Sequence, residues 1–238
     1  FSILIPISIM FIIGVYDDFY NADFKLKFFI QIIAAKMIID QGFVIDDFYG
    51  VLWLNEIPRI GAQIFTVFVF LIIVNSINFI DGIDGIAIVE FIKIILFIEF
   101  LNSGDSVLFI LSSITILSLL PLLFYNHKKH NKIFLGDAGS LFLGTILAIY
   151  TFYFLGPNYK MTIEFNKPSM SILILLYPLT DLLRVFIIRV KNKKSPFQPD
   201  NNHLHHILLN RGLSHWKISI ILPIGFLILS MGIIYLLK

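Results

Sequence analysis

Three short polar stretches between long apolar runs carry aspartates whose placement could do chemistry. Asp17 and Asp18 stand in GVYDDFYNADFKLKFFIQ, Asp81 and Asp84 in NSINFIDGIDGIA, and Asp137 in KIFLGDAGSLFLG. Carboxylates in greasy surroundings are costly unless something pairs with them. At an effective dielectric near 20, two of them about 5 Å apart repel by roughly 3 kcal/mol, which a cation or a shared proton relieves. With Asn78, which falls near one helical face with Asp81 and Gly85, they offer the hard oxygens that Mg²⁺ takes. Gly82 and Gly85 carry no side chain, so a phosphate or a second helix can approach the backbone there.

Cationic and neutral partners accompany the acids. Lys27 and Gln31 are one helical turn apart and can face one cleft. Asp137 sits between Gly136 and Gly139 at the start of an apolar run, where free N–H groups favour an anion and an acid is awkward unless a cation mediates. The stretch lacks the lysine of a P-loop. In PDNNHLHHILLNRGLS, His203, His205 and His206 occupy three of four positions after Asp200. With no cysteine in the chain and no HExxH, zinc is disfavoured. Beside Lys193, Lys194 and Arg211 the histidines suit a phosphate or sugar hydroxyls. Each stretch also has a plainer interpretation: a charged helix end, a glycine turn, an N-cap by Asp137 or Ser140, a basic loop at a membrane surface. Asp181 and Arg184, a turn apart, are equally an internal ion pair or a functional pair.

The elements that must position these residues follow from composition. Of 238 residues, 58% are hydrophobic and 14% charged, against about 25% charged in soluble domains. A membrane is the natural solvent for the excess. A net charge of +2 gives no argument for nucleic acid. The chain opens on Phe1 inside an apolar run, so the N-terminus is expected to be truncated. Eight candidate spans cover residues 1–16, 24–41, 60–77, 83–101, 106–125, 141–156, 169–190 and 218–237. The runs are continuous rather than alternating, which predicts an all-α integral membrane bundle, read as one membrane domain over 1–238. Glu90 and Lys93 lie at i,i+3 in the fourth run and can pair. Around Tyr49-Gly50 a small extracytoplasmic hairpin is expected.

Alternation places all four polar stretches on one side. That side carries eleven lysines and arginines, from Lys25 to Lys217, against four opposite (Arg59, Lys160, Lys167, Lys238). It is expected to be cytoplasmic. The residues alone point to a membrane enzyme that handles a metal–phosphate substrate at that interface. An ion- or proton-coupled transporter would also carry acids, Gly-broken spans and histidines, but would place its acids near the midplane. A CDP-alcohol phosphatidyltransferase would gather its acids in one run rather than three loops.

The four stretches, in this order from about residue 14 to 214, resemble the polyprenyl-phosphate N-acetylhexosamine-1-phosphate transferase family. That family starts O-antigen, teichoic acid and lipid-linked peptidoglycan synthesis. The HxHH form after a Pro-Asp is closer to its UDP-GlcNAc:undecaprenyl-phosphate branch. The resemblance implies about ten spans in the cell (inner) membrane, and transfer of a sugar-1-phosphate from a UDP-N-acetyl sugar to polyprenyl phosphate with release of UMP. It implies Mg²⁺, with Mn²⁺ as the alternative ion, held by Asp137 with Asn78 or Asp81. Asp17 would be the base or the nucleophile beside Asp18, and Lys27 would bind phosphate. Asp84, Phe79 and Phe134 would line the nucleotide pocket, and His203, His205 and His206 would contact pyrophosphate or sugar. A homodimer is left open. Two departures stand out: Asn201, where a basic residue is usual, and the charge-rich NHKKHNK loop.

Overall fold

The computed structural model describes residues 2–104, 106, 108–195 and 202–237. Each apolar run becomes a helix, because in a low-dielectric surrounding only a helix satisfies its own backbone polar groups. In order these are α1 (Leu4–Tyr20), α2 (Phe24–Ile39), α3 (Arg59–Ile80), α4 (Ile86–Leu101), α5 (Phe109–Asn126), α6 (Gly136–Leu155), α7 (Lys167–Ile174), α8 (Leu176–Lys191), α9 (Leu204–Asn210) and α10 (His215–Leu236). No β-strand occurs among the described residues; β-type pairing is confined to the isolated bridges Asp47–Glu56 and Asn102–Met161. At the expected hairpin Tyr49 and Gly50 are both at positive φ, and the flanking segments share the Asp47–Glu56 bridge and a Gly50 N–H to Leu54 carbonyl bond, without forming strands.

Among the described residues four helices are long and apolar enough to cross a membrane, α3, α5, α6 and α10, and a fifth span results if α7 and α8 are counted as one. The pair meets at 73°, where the sequence suggested one span over 169–190. Helices α1, α2 and α4, at 17, 16 and 16 residues, fall short on length. The chain is a multi-pass membrane protein.

Helix α6 is the axis of the bundle. Every residue from Leu143 to Leu155 is buried, while α5 turns Ile110, Ile114, Leu117 and Phe124 outward, as a lipid-facing helix would. Glu90 and Lys93 do pair, at 2.6 Å, inside the bundle. Small residues set the closest approaches to α6. A Cβ on Gly144 would lie 2.9 Å from Val74 Cα, and a Cβ on Gly14 would lie 2.5 Å from both Ala138 Cα and Asp137 O. Backbone, not a movable side chain, fills the space at Gly14. Gly14→Ala is therefore expected to push α1 off the start of α6 and destabilise the fold by about 1–3 kcal/mol. Thermal unfolding in detergent checks this, and an unchanged midpoint would contradict the close packing.

Candidate active site

The ends of six helices meet on one side of the bundle. The last turn of α1 brings Asp17 and Asp18, and the first turn of α2 brings Lys27. The end of α3 brings Asn78 with Asp81 as its C-cap, the start of α6 brings Asp137, and α8 and α9 bring Arg189 and the histidines. The acids are thus at helix ends, as expected, not in mid-span.

Lys27 Nζ lies 2.5 Å from Asp17 Oδ2 and 3.4 Å from Asp137 Oδ2. Asp137 Oδ1 accepts the Asn78 amide N–H at 3.0 Å, and Asn78 also donates to Ser140 Oγ at 2.8 Å. One turn away Asn75 donates to Gln31 at 2.8 Å, tying α3 to α2. The anion favoured at the start of α6 proves to be Asp18, whose two oxygens accept the N–H groups of Asp137 (2.8 Å) and Ala138 (3.1 Å). Gly136 makes this possible: it sits at φ 67°, and a Cβ there would come within 2.8 Å of Asp18 Oδ2. Neighbouring acids thus have opposite duties, Asp18 anchoring α6 while Asp17 meets Lys27.

A cavity of about 350 Å³ opens between these groups and the histidines. It is lined by Lys27, Gln31, Asn78, Phe79, Asp81, Asp137, Arg189, His203, His205 and His206. The rings of His203 and His205 are stacked at 5.4 Å, and His206 lies 4.3 Å from His205. His205 is fully buried and neither ring nitrogen has a hydrogen-bond partner in the described structure. Burial, aided by the neighbouring histidines, pushes it down to about 3, so the ring is neutral. It rests on the bare backbone of Gly82, where a Cβ would lie 2.2 Å from Nε2.

A second cavity, of about 300 Å³, adjoins the first across Asp81, Gly82 and Asp137. Its lining includes Asp18, Asp84, Asn126, Lys132, Phe134 and His215. Asp84 forms an ion pair with Lys132, and its Oδ2 lies 2.8 Å from His215 Nδ1. Lys132 also stands 4.7 Å over the Phe134 ring, which is 70% exposed. Asp84 and Phe134 therefore share a pocket as expected, whereas Phe79 does not join them. Its ring lines the first cavity beside His203 and Arg189, because it follows Asn78 on α3 while Asp84 lies beyond the turn.

Of the five acids read as cation ligands, the structure gives four their own protein partners, Asp137 meeting Lys27 and Asn78. Asp17 is held by Lys27, Asp18 by the α6 backbone, and Asp84 by Lys132 and His215. Asn78 points its amide N–H at Asp137. The Asp81 carboxylate has no hydrogen-bond or ion-pair partner among the described residues. Burial, reinforced by the charges of Asp137, Asp84 and Asp18, raises it well above the ordinary carboxylate range. A cation beside Asp81 and Asp137 would relieve that repulsion. Among the described residues no three Asp, Glu or His side chains form a ready-made metal cage. Two carboxylates plus substrate oxygens nonetheless fit Mg²⁺, which keeps few protein ligands. Asp200 and Asn201 lie outside the described residues.

Sequence reasoning missed Lys132, Arg189 and His215 as lining residues; their only signal was a place in loops or helix ends on the polar side.

The description Glycosyl transferase family 4 matches residues 1–155 of the chain. A "probable undecaprenyl-phosphate N-acetylglucosaminyl 1-phosphate transferase" of Bacillus subtilis (strain 168) is 37% identical over 95% of this chain and 63% of its own length. An undecaprenyl-phosphate alpha-N-acetylglucosaminyl 1-phosphate transferase of Haemophilus influenzae is 33% identical over 89% of this chain and 61% of its own. A decaprenyl-phosphate N-acetylglucosaminephosphotransferase of Mycobacterium leprae is 29% identical over 97% and 63%. The chain thus spans about three-fifths of the length of these relatives.

Proposed function

We propose, for a chain that belongs to glycosyl transferase family 4, that it carries the catalytic centre of a polyprenyl-phosphate N-acetylhexosamine-1-phosphate transferase. One observation supports this most: Asp81 and Asp137 stand at the boundary of two cavities lined in part by charged side chains, with an acid–lysine pair in one and an aromatic, charged pocket in the other. The relatives' names supply the chemical class. The nucleotide of a UDP-N-acetyl sugar would occupy the Asp84–Lys132–Phe134 pocket, stacking on the exposed Phe134 ring. Its diphosphate would cross Asp81 and Asp137, and its sugar would meet the histidines. Lys27 would receive the polyprenyl phosphate, which reaches the helix ends laterally from the bilayer.

An acceptor phosphate oxygen would form a bond to the sugar-bearing phosphorus as the bond to UMP breaks. Such a transfer needs alignment and charge neutralisation more than covalent help. Mg²⁺, held by Asp81 and Asp137, would neutralise charge on the diphosphate and on departing UMP. Asp17 would take the proton of the lipid phosphate, or, in the two-step alternative, attack phosphorus first. Asn78 keeps Asp137 oriented, and Asp18 keeps the start of α6 in place.

In this reading the eight helical segments of the sequence analysis each cross the inner membrane. The eleven-to-four bias of lysine and arginine supports a site on the cytoplasmic face. The test is to reconstitute the full-length protein with undecaprenyl phosphate, Mg²⁺ and a panel of UDP-N-acetyl sugars and to measure UMP. Release with at least one donor is expected, and no release from any would overturn the reading. His205→Ala is expected to weaken UDP-sugar binding roughly 10-fold, the loss of one net hydrogen bond. An unchanged dissociation constant would remove that contact.

A further inference from the structure

Helix α8 carries a carboxylate that the reaction above does not use. Asp181 is fully buried, yet it does not chiefly serve Arg184, whose guanidinium is 3.7 Å from Oδ1. Asp181 Oδ2 accepts from His203 Nδ1 at 2.8 Å, and Oδ1 accepts the Leu204 backbone N–H at 2.8 Å. His203 is the N-cap of α9 and Leu204 its first residue. One side chain thus fixes both the helix that carries His205 and His206 and the ring of the first histidine.

An ionised carboxylate can only accept, so the ring nitrogen facing it must carry a hydrogen. That places the His203 proton on Nδ1 and leaves Nε2 as the nitrogen available to the cavity that His203 lines. We infer that Asp181 is a positioning residue of the transfer reaction, holding His203 as its Nδ1–H tautomer so that Nε2 meets the substrate. The inference rests on the proposed function for its kinetic consequence, but the tautomer itself does not. A purely structural acid would cap α9 and leave the proton's position without effect.

Asp181→Asn separates the two duties. The amide oxygen can still accept from Leu204, while an amide N–H turned to Nδ1 forces the ring proton onto Nε2. The analogous loss of a group that orients a functional side chain costs roughly 10- to 100-fold. The experiment records the ¹⁵N shifts of His203, assigned by loss in His203→Ala, on the neutral ring in full-length protein. It then measures kcat/KM for Asp181→Asn, His203→Ala and the double variant. Expected are a wild-type ring protonated at Nδ1, a shift to Nε2 in Asp181→Asn with a 10- to 100-fold lower kcat/KM, and a double variant no worse than His203→Ala alone. A wild-type ring protonated at Nε2, a wild-type rate in Asp181→Asn, or multiplying losses in the double variant would each overturn it. The wild-type spectrum needs no folded variant. UMP release by no donor would sink the transfer reading instead, with the tautomer still deciding the Asp181–His203 coupling.

Discussion

Asp137→Asn in the full-length protein is expected to lower Mg²⁺-dependent UMP release by roughly 10³-fold, about 4 kcal/mol of transition-state stabilisation. Asp137 touches more of the candidate site than any other acid. It reaches Lys27 with one oxygen and Asn78 with the other, and it borders both cavities. The substitution keeps the shape and an acceptor for Asn78, and the backbone N–H groups held by Asp18 are untouched. Folding should therefore survive, which thermal unfolding can confirm. What disappears is one negative charge where a divalent ion would be held beside Asp81. Turnover within threefold of wild type would show that the charge has no part in the reaction.

Asp17→Asn is expected to reduce kcat by roughly 10²–10⁴-fold, the usual contribution of a positioned general base. Asp17 is buried and its Oδ2 lies 2.5 Å from Lys27 Nζ, which lines the cavity, so the pair is preassembled. The neutral amide can still accept from Lys27, so binding of the lipid phosphate should change much less than kcat. A KM for polyprenyl phosphate that rises as far as kcat falls would mean that Asp17 merely organises binding. The same variant separates the two roles. A covalent phospho-sugar adduct on the wild-type enzyme, absent from Asp17→Asn, would assign Asp17 as nucleophile; its absence in both, with kcat reduced, fits the base.

Much of this site was legible in the sequence because apolar runs alternate sides. Once 60–77, 83–101, 106–125 and 141–156 are all read as crossing helices, Asn78 and Asp137 emerge at the same side. Gln31 and Lys27 share a face by helical spacing alone, and both do line the cavity. Pairings between distant segments were not legible. Helix-start chemistry implied an anion near Asp137 but could not say that Asp18, 119 residues earlier, supplies it. The period of α3 could not show that the chain turns after Asp81, which leaves Phe79 in one cavity and carries Asp84 into the other. Asp181 and Arg184 looked like each other's partners by i,i+3 spacing, yet His203 and Leu204 hold the carboxylate more closely. The bend between α7 and α8 was hidden because both halves are apolar enough to read as one span.

The most direct measurement substitutes Mn²⁺ for Mg²⁺ in the full-length protein with a UDP-N-acetyl sugar bound, and records electron paramagnetic resonance with phosphorus hyperfine coupling. One bound ion coupled to the nucleotide diphosphate is predicted for the wild type, lost in both Asp81→Asn and Asp137→Asn. Equal Mn²⁺ binding in wild type and both variants, or an ion with no phosphorus coupling, would contradict a metal-bridged diphosphate between these two acids.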